Sequence, residues 1–153
     1  MKEIENIAGG FAGALVLNIL HETAKRLDKD APRIDLVGEE ALTKTLESAG
    51  VEAPKGKALF GTTLAADIVT NALYYSAIGA GNKKGLLLRG AGYGLAAGIG
   101  ALTLTEPMGL HDAPVNRTTR TKVLTVAFYL AGGLASAFAI RALRKQMKQF
   151  FAA

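Results

Sequence analysis

The sequence predicts an all-α membrane protein: a four-transmembrane-helix bundle with a short amphipathic helix in its first connection. Three observations predict it. Half of the 153 residues are apolar although 20% are charged, so charge and apolarity must occupy separate blocks. Four apolar runs, 4–20, 58–81, 85–105 and 123–140, contain 17, 24, 21 and 18 residues. These lengths fit the range of about 17 to 25 that crosses a hydrocarbon core roughly 30 Å thick. With Glu5 at the first edge set aside, the only charges inside the runs are Asp67 and Arg89, whereas the helices of a soluble bundle carry a charged face along their length. Residues 1–153 therefore read as a single integral membrane domain. The modest mean hydropathy of +0.23 reflects the long polar connection at 21–57.

The first run opens after Lys2, Glu3 and Glu5, acidic residues that suit the positive end of a helix dipole. Gly9 and Gly13 form a G-x-x-x-G pair that lets a second helix approach closely. Toward the end of this run Asn18, His21 and Glu22 share one face. The connection carries seven basic and seven acidic residues between 23 and 57, a mixed-charge surface. Within it Asp30–Asp35 is a turn, because Pro32 biases Ala31 away from helix. Residues 39–49 form the amphipathic helix, stopped by Gly50 and lying on the membrane surface or capping the bundle.

The second run carries Asp67 and Asn71, with Asp67 roughly 13 Å deep at 1.5 Å per residue. A carboxylate at that depth must be paired, protonated or facing the bundle interior, and marks a functional hypothesis. Tyr129 on the fourth run should lie at similar depth and is the expected partner. A short turn, Gly79–Gly85, leads to the third run, where Arg89 is expected to reach back to the interface as an anchor. Gly90, Gly94 and Gly98 recur every four residues, with Gly92, Ala96 and Gly100 as a parallel row. Glycine weakens an isolated helix by about 1 kcal/mol relative to alanine, so this ladder makes sense as a packing spine. Pro107 ends the run, and the fourth finishes in Arg141, Arg144, Lys145 and Lys148.

Four crossings put both termini on one side. That side holds eight basic residues against two acidic, and the other ten against ten, which places the termini in the cytoplasm. A net charge of +5 does not imply nucleic acid, because the basic residues gather at the ends of apolar runs. The absence of cysteine excludes disulfides and thiolate chemistry.

The same topology brings the ends of the first and third runs to one face, with His21, Glu22, Glu106, His111 and Asp112. Two imidazoles and three carboxylates suit a divalent metal such as Zn, or a proton-sensitive patch. No catalytic set is expected. His21-Glu22 does not continue as H-E-x-x-H, and the glycine ladder lacks the Lys-Ser/Thr of a phosphate loop.

Pro107-Met-Gly-Leu-His-Asp-Ala-Pro114, followed by a polar stretch, an apolar helix and Ile140-Arg141, resembles small uncharacterised four-helix proteins of the bacterial inner membrane, some linked to acid tolerance. The early Ala-Gly-rich helix and the Pro-Arg connection are similar too. The resemblance implies a multi-pass inner-membrane protein and brings no established catalytic residues. Two functions are expected. One is a structural or accessory protein embedded in the lipid bilayer, packing through its glycine faces into a homo-oligomer or a larger complex. The other is a metal-binding or proton- or ion-coupled protein working at the His/carboxylate face outside the cytoplasm.

Overall fold

A computed structural model of the protein describes residues 2–81 and 83–151. Among these the chain is all helical. Its elements are α1 (Lys2–Leu27), α2 (Ile34–Ser48), α3 (Gly56–Ser76), α4 (Leu86–Thr103), the single turn α5 (Ala113–Asn116) and α6 (Thr119–Phe150). Short 3-10 turns at Ala77–Gly79 and Lys83–Gly85 join α3 to α4. Asn82, part of the expected Gly79–Gly85 turn, lies outside the described residues.

Three helices, α1, α4 and α6, are long and apolar enough to cross a membrane. The fourth expected span, α3, forms as a 21-residue helix but is not among them, because Thr62, Thr63, Asp67, Thr70 and Asn71 interrupt its apolar surface. Two spans are longer than their apolar runs. The first continues through His21 to Leu27, where Lys25 and Arg26 occupy the last turn and oppose the negative end of the helix dipole. The last starts at the Thr118 cap, whose Oγ1 accepts the Thr121 N–H at 3.0 Å. The amphipathic helix also begins earlier than expected, at Ile34. It ends as expected at Gly50, which has φ of +73° and takes the left-handed turn that releases the chain.

The packing register follows from the glycines. A Cβ added at Gly90 would sit 2.7 Å from the Ala137 Cβ and the Gly133 carbonyl oxygen, one at Gly94 2.7 Å from Leu130 Cα, and one at Gly98 2.8 Å from Val126 Cα. Rising numbers on α4 meet falling numbers on α6, so the two are antiparallel, with backbones in contact along the seam. Gly9 meets Ile140 and Gly13 meets Ser136 and Gly132, while Gly10 abuts the backbone of Ala72 and Ser76. Thus α1 is antiparallel to both α6 and α3. Gly9, Gly13, Gly90, Gly94 and Gly98, expected as packing positions, make these contacts within the chain.

Both described ends of the chain therefore lie at one end of the bundle, and α2 closes the other. There the Arg33 N–H donates to the Pro114 carbonyl at 2.9 Å, and the Thr121 hydroxyl donates to the Asp30 carbonyl at 2.8 Å. Leu17, Tyr75, Ile78, Leu86, Ala137 and Ile140 form the buried centre. The outer surface is apolar. Ile4, Ile7, Phe11, Leu15 and Ile19 on α1, Val69 and Leu73 on α3, Leu88, Leu95 and Ile99 on α4, and Val123 and Phe138 on α6 are all exposed. An apolar exterior over a partly polar interior is the arrangement a lipid environment favours.

Candidate functional site

The polar residues of the interior converge between α1, α3 and the start of α2. On α1, Asn18, His21, Glu22 and Lys25 recur at helical spacing. On α3, Phe60, Thr63, Leu64 and Asp67 do the same. Together with Pro32, Ile34, Asp35 and Gly38 they line a cavity of about 30 Å³, the share of liquid volume that one water molecule takes.

Asp67 forms its inner wall and is held by two carboxamides. Asn18 Nδ2 donates to Asp67 Oδ2 at 2.9 Å, and Asn71 Nδ2 donates to Asp67 Oδ1 at 2.9 Å. Asn18 Nδ2 also donates to the Ala14 carbonyl at 3.0 Å. The expected partner, Tyr129, is not among these contacts. It is buried on α6, where its backbone carbonyl accepts the Tyr75 hydroxyl at 2.9 Å. Its ring meets His21 edge-on, with centroids 5.8 Å apart, so it walls the histidine instead of the carboxylate. Phe128 packs on the same imidazole, T-shaped at 5.1 Å.

His21 is only 4% exposed and Thr63 6%. Neither ring nitrogen of His21, nor Thr63 Oγ1, has a hydrogen-bond partner among the described residues. An unmade buried hydrogen bond costs about 1–3 kcal/mol, so three such atoms beside one water-sized cavity mark a place built to take up a polar guest.

Charged groups close the outer side. Lys25 Nζ lies 2.6 Å from Glu22 Oε1 and 3.1 Å from Asp35 Oδ2, above the Phe60 ring at 4.6 Å. Arg33 donates from Nε to Asp35 Oδ1 and from Nη2 to Asp35 Oδ2, both at 2.9 Å. Burial pushes the Asp35 carboxyl up, but the hydrogen bonds and charges of Arg33 and Lys25 outweigh it and hold the group below its ordinary range.

The expected metal cluster does not assemble. Among the described residues no three His, Asp or Glu side chains converge on one point. His21 is sealed in the bundle, while His111 is exposed and pairs with Glu40 on α2. The His111 N–H donates to Glu40 Oε2 and its Nδ1 lies against Glu40 Oε1, both at 2.9 Å. Glu22 is taken by Lys25, and Asp112 accepts Asn116 Nδ2 at 3.0 Å. Glu106 stands exposed in the turn after α4. The reason is that α1 runs on past His21 as helix, which keeps the imidazole inside the bundle and away from the 106–112 turn.

Glu40 makes a pH-dependent latch of the α2 cap. Lys44 at 2.7 Å, then the His111 N–H, draw its carboxyl down to about 2 from an ordinary 4.5. A depressed carboxyl contributes fully above its unfolded value and is lost as pH falls through its folded one. The latch should thus hold from neutrality to about 4.5 and release between there and about 2. Amide hydrogen exchange checks this at neutral pH: Glu40→Ala should lower protection at the His111 N–H, and unchanged protection would refute it.

At the opposite end of the bundle lies a polar cluster that the sequence did not announce. Arg144, expected in an exposed basic stripe, is 6% exposed. Its Nη2 donates to Asn6 Oδ1 at 2.8 Å and to the Gly79 carbonyl at 2.6 Å, and Nε lies 3.6 Å from Glu5 Oε2. Arg89, expected to anchor at the interface, is half-buried and donates from Nε to the Ile78 carbonyl at 2.8 Å. Both arginines thereby fasten the 3-10 turn after α3.

No family model, no curated protein and no solved structure matches the chain.

Proposed function

We propose that the protein is a four-span protein of the bacterial inner membrane, with cytoplasmic termini, that takes up and releases protons at the Asn18–His21–Thr63–Asp67 pocket. One observation carries this reading. A carboxylate clasped by two asparagines shares a water-sized cavity with a buried imidazole whose ring nitrogens find no well-aligned hydrogen-bond partner among the described residues. Titratable groups inside a membrane domain are expensive and mark proton or ion routes, and imidazole and carboxylate are both groups that take up and release protons. The exposed apolar residues Val69 and Leu73 support α3 as the fourth span, and the basic excess at the terminal end supports the orientation.

In purified protein, nitrogen NMR of the His21 ring tests the reading. His21 should change protonation within the pH range over which the protein stays folded, and Asp67→Asn should move its midpoint. A silent His21, or an unmoved midpoint, would sink it. Solubility without detergent would remove the membrane reading altogether.

An accessory role in a larger assembly is the second reading, favoured by the outward row of α4. A Cβ at Gly92 meets nothing within 4 Å, and neighbouring Ala96 is exposed, which leaves a smooth face free for another membrane helix.

A further inference from the structure

At the terminal end of the bundle, a groove of about 570 Å³ opens between the start of α4 and the end of α6. Lys84, Arg141, Lys145 and Lys148 line it, with Leu86 and Leu87 on the α4 side. Positions 141, 145 and 148 fall on one face of α6 at four- and three-residue spacing, so the three cations form a row opposite Lys84. Arg144 also borders the groove, but its guanidinium is turned inward onto Asn6, Gly79 and Glu5. Among the described residues, none of the four groove cations lies within ion-pair distance of a carboxylate.

We propose that this groove binds the headgroup phosphate of an anionic phospholipid. Four uncompensated cations around one concavity repel each other and gain from a shared anion. The row begins at Arg141, directly after the apolar run of α6, which is the level at which lipid headgroups lie. The apolar side supplies the rest of the match. Leu87 is 38% exposed and Leu88, next in the chain, 80%, so a headgroup in the groove leaves its acyl chain running down the outer surface of α4. A free phosphate ion would use the cations and leave this leucine track idle. The inference rests on the membrane reading and is independent of the proton pocket.

The test is a binding titration of the full chain in an uncharged detergent, by native mass spectrometry, with phosphatidylglycerol, phosphatidylcholine and inorganic phosphate as probes. Phosphatidylglycerol should bind at least about tenfold more tightly than phosphatidylcholine. The triple variant Arg141→Gln, Lys145→Gln, Lys148→Gln should lose that preference. The variant Lys55→Gln, Lys57→Gln, Lys122→Gln removes as many charges from the other end of the bundle and should keep it. Thermal unfolding without lipid verifies that both variants fold. Equal binding of the two lipids, equal loss in the two variants, or displacement of phosphatidylglycerol by inorganic phosphate would each overturn the proposal.

Discussion

Replacing Gly94 with leucine is expected to break the α4–α6 seam and give a large loss of stability. Even the first added carbon would lie 2.7 Å from Leu130 Cα and from the Tyr129 carbonyl oxygen. Both obstacles are backbone, so no rotamer change relieves them and the helices must separate. Overpacking of a rigid interior costs about 1–3 kcal/mol and more where the backbone cannot shift. Separation would also strip the contacts of Gly90 and Gly98 with the same helix. Unfolding followed by circular dichroism in detergent measures the effect. Gly92→Leu, two residues away and facing open space, should unfold like the wild type. Two variants of equal stability would refute the seam. The same Gly92→Leu protein decides the accessory reading, because an unchanged oligomeric state in detergent counts against the outward row as a partner face.

Arg144→Met should also be strongly damaging, although it removes one member of a basic cluster. The Glu5 side chain is only 11% exposed and that of Arg144 6%, so deletion of the guanidinium strands a buried carboxylate together with the Gly79 carbonyl and the Asn6 amide oxygen. Removing one partner of a buried ion pair costs about 3–5 kcal/mol. Arg141→Gln, an exposed neighbour, should cost less than about 0.5 kcal/mol. Adding Glu5→Gln to Arg144→Met should recover part of the loss, because the stranded charge is gone. Equal stability of Arg144→Met and Arg141→Gln would show that the cluster is not a fastening.

The helical blocks were legible because apolar runs of membrane length leave little choice of secondary structure, and the α4 glycine ladder was legible as a close-packing face. What the ladder packs against was not. Small-residue spacing says that some helix approaches closely, and it is Gly133 and Ala137 on α6 that show it to be this chain's own. Arg144 was hidden for a related reason. Its neighbours Arg141, Lys145 and Lys148 read as a solvated flank, yet Thr121, Thr125, Tyr129, Gly132, Ser136 and Ile140 recur every three or four residues along α6 and project onto Arg144, so the buried face extends through it. For the candidate site, Asp67 was recognisable from its depth alone. The mistake over His21 came from ending the first helix where its apolar run ends. Charged residues 22–27 continue the helix, and one more turn decides whether the imidazole meets His111 or the interior of the bundle.

The position of α6 as the central member has a consequence for how the bundle holds together. The glycine faces of α1 and of α4 both close against α6, and α1 and α4 make almost no direct contact with each other. Without α6, the Gly9/Gly13 strip of α1 and the Gly90/Gly94/Gly98 strip of α4 have nothing to receive them. Segment 119–150 mates with both and locks at Glu5, Asn6 and Gly79 through Arg144. Helix α6 is thus the common wall that joins the α1–α3 pair to α4.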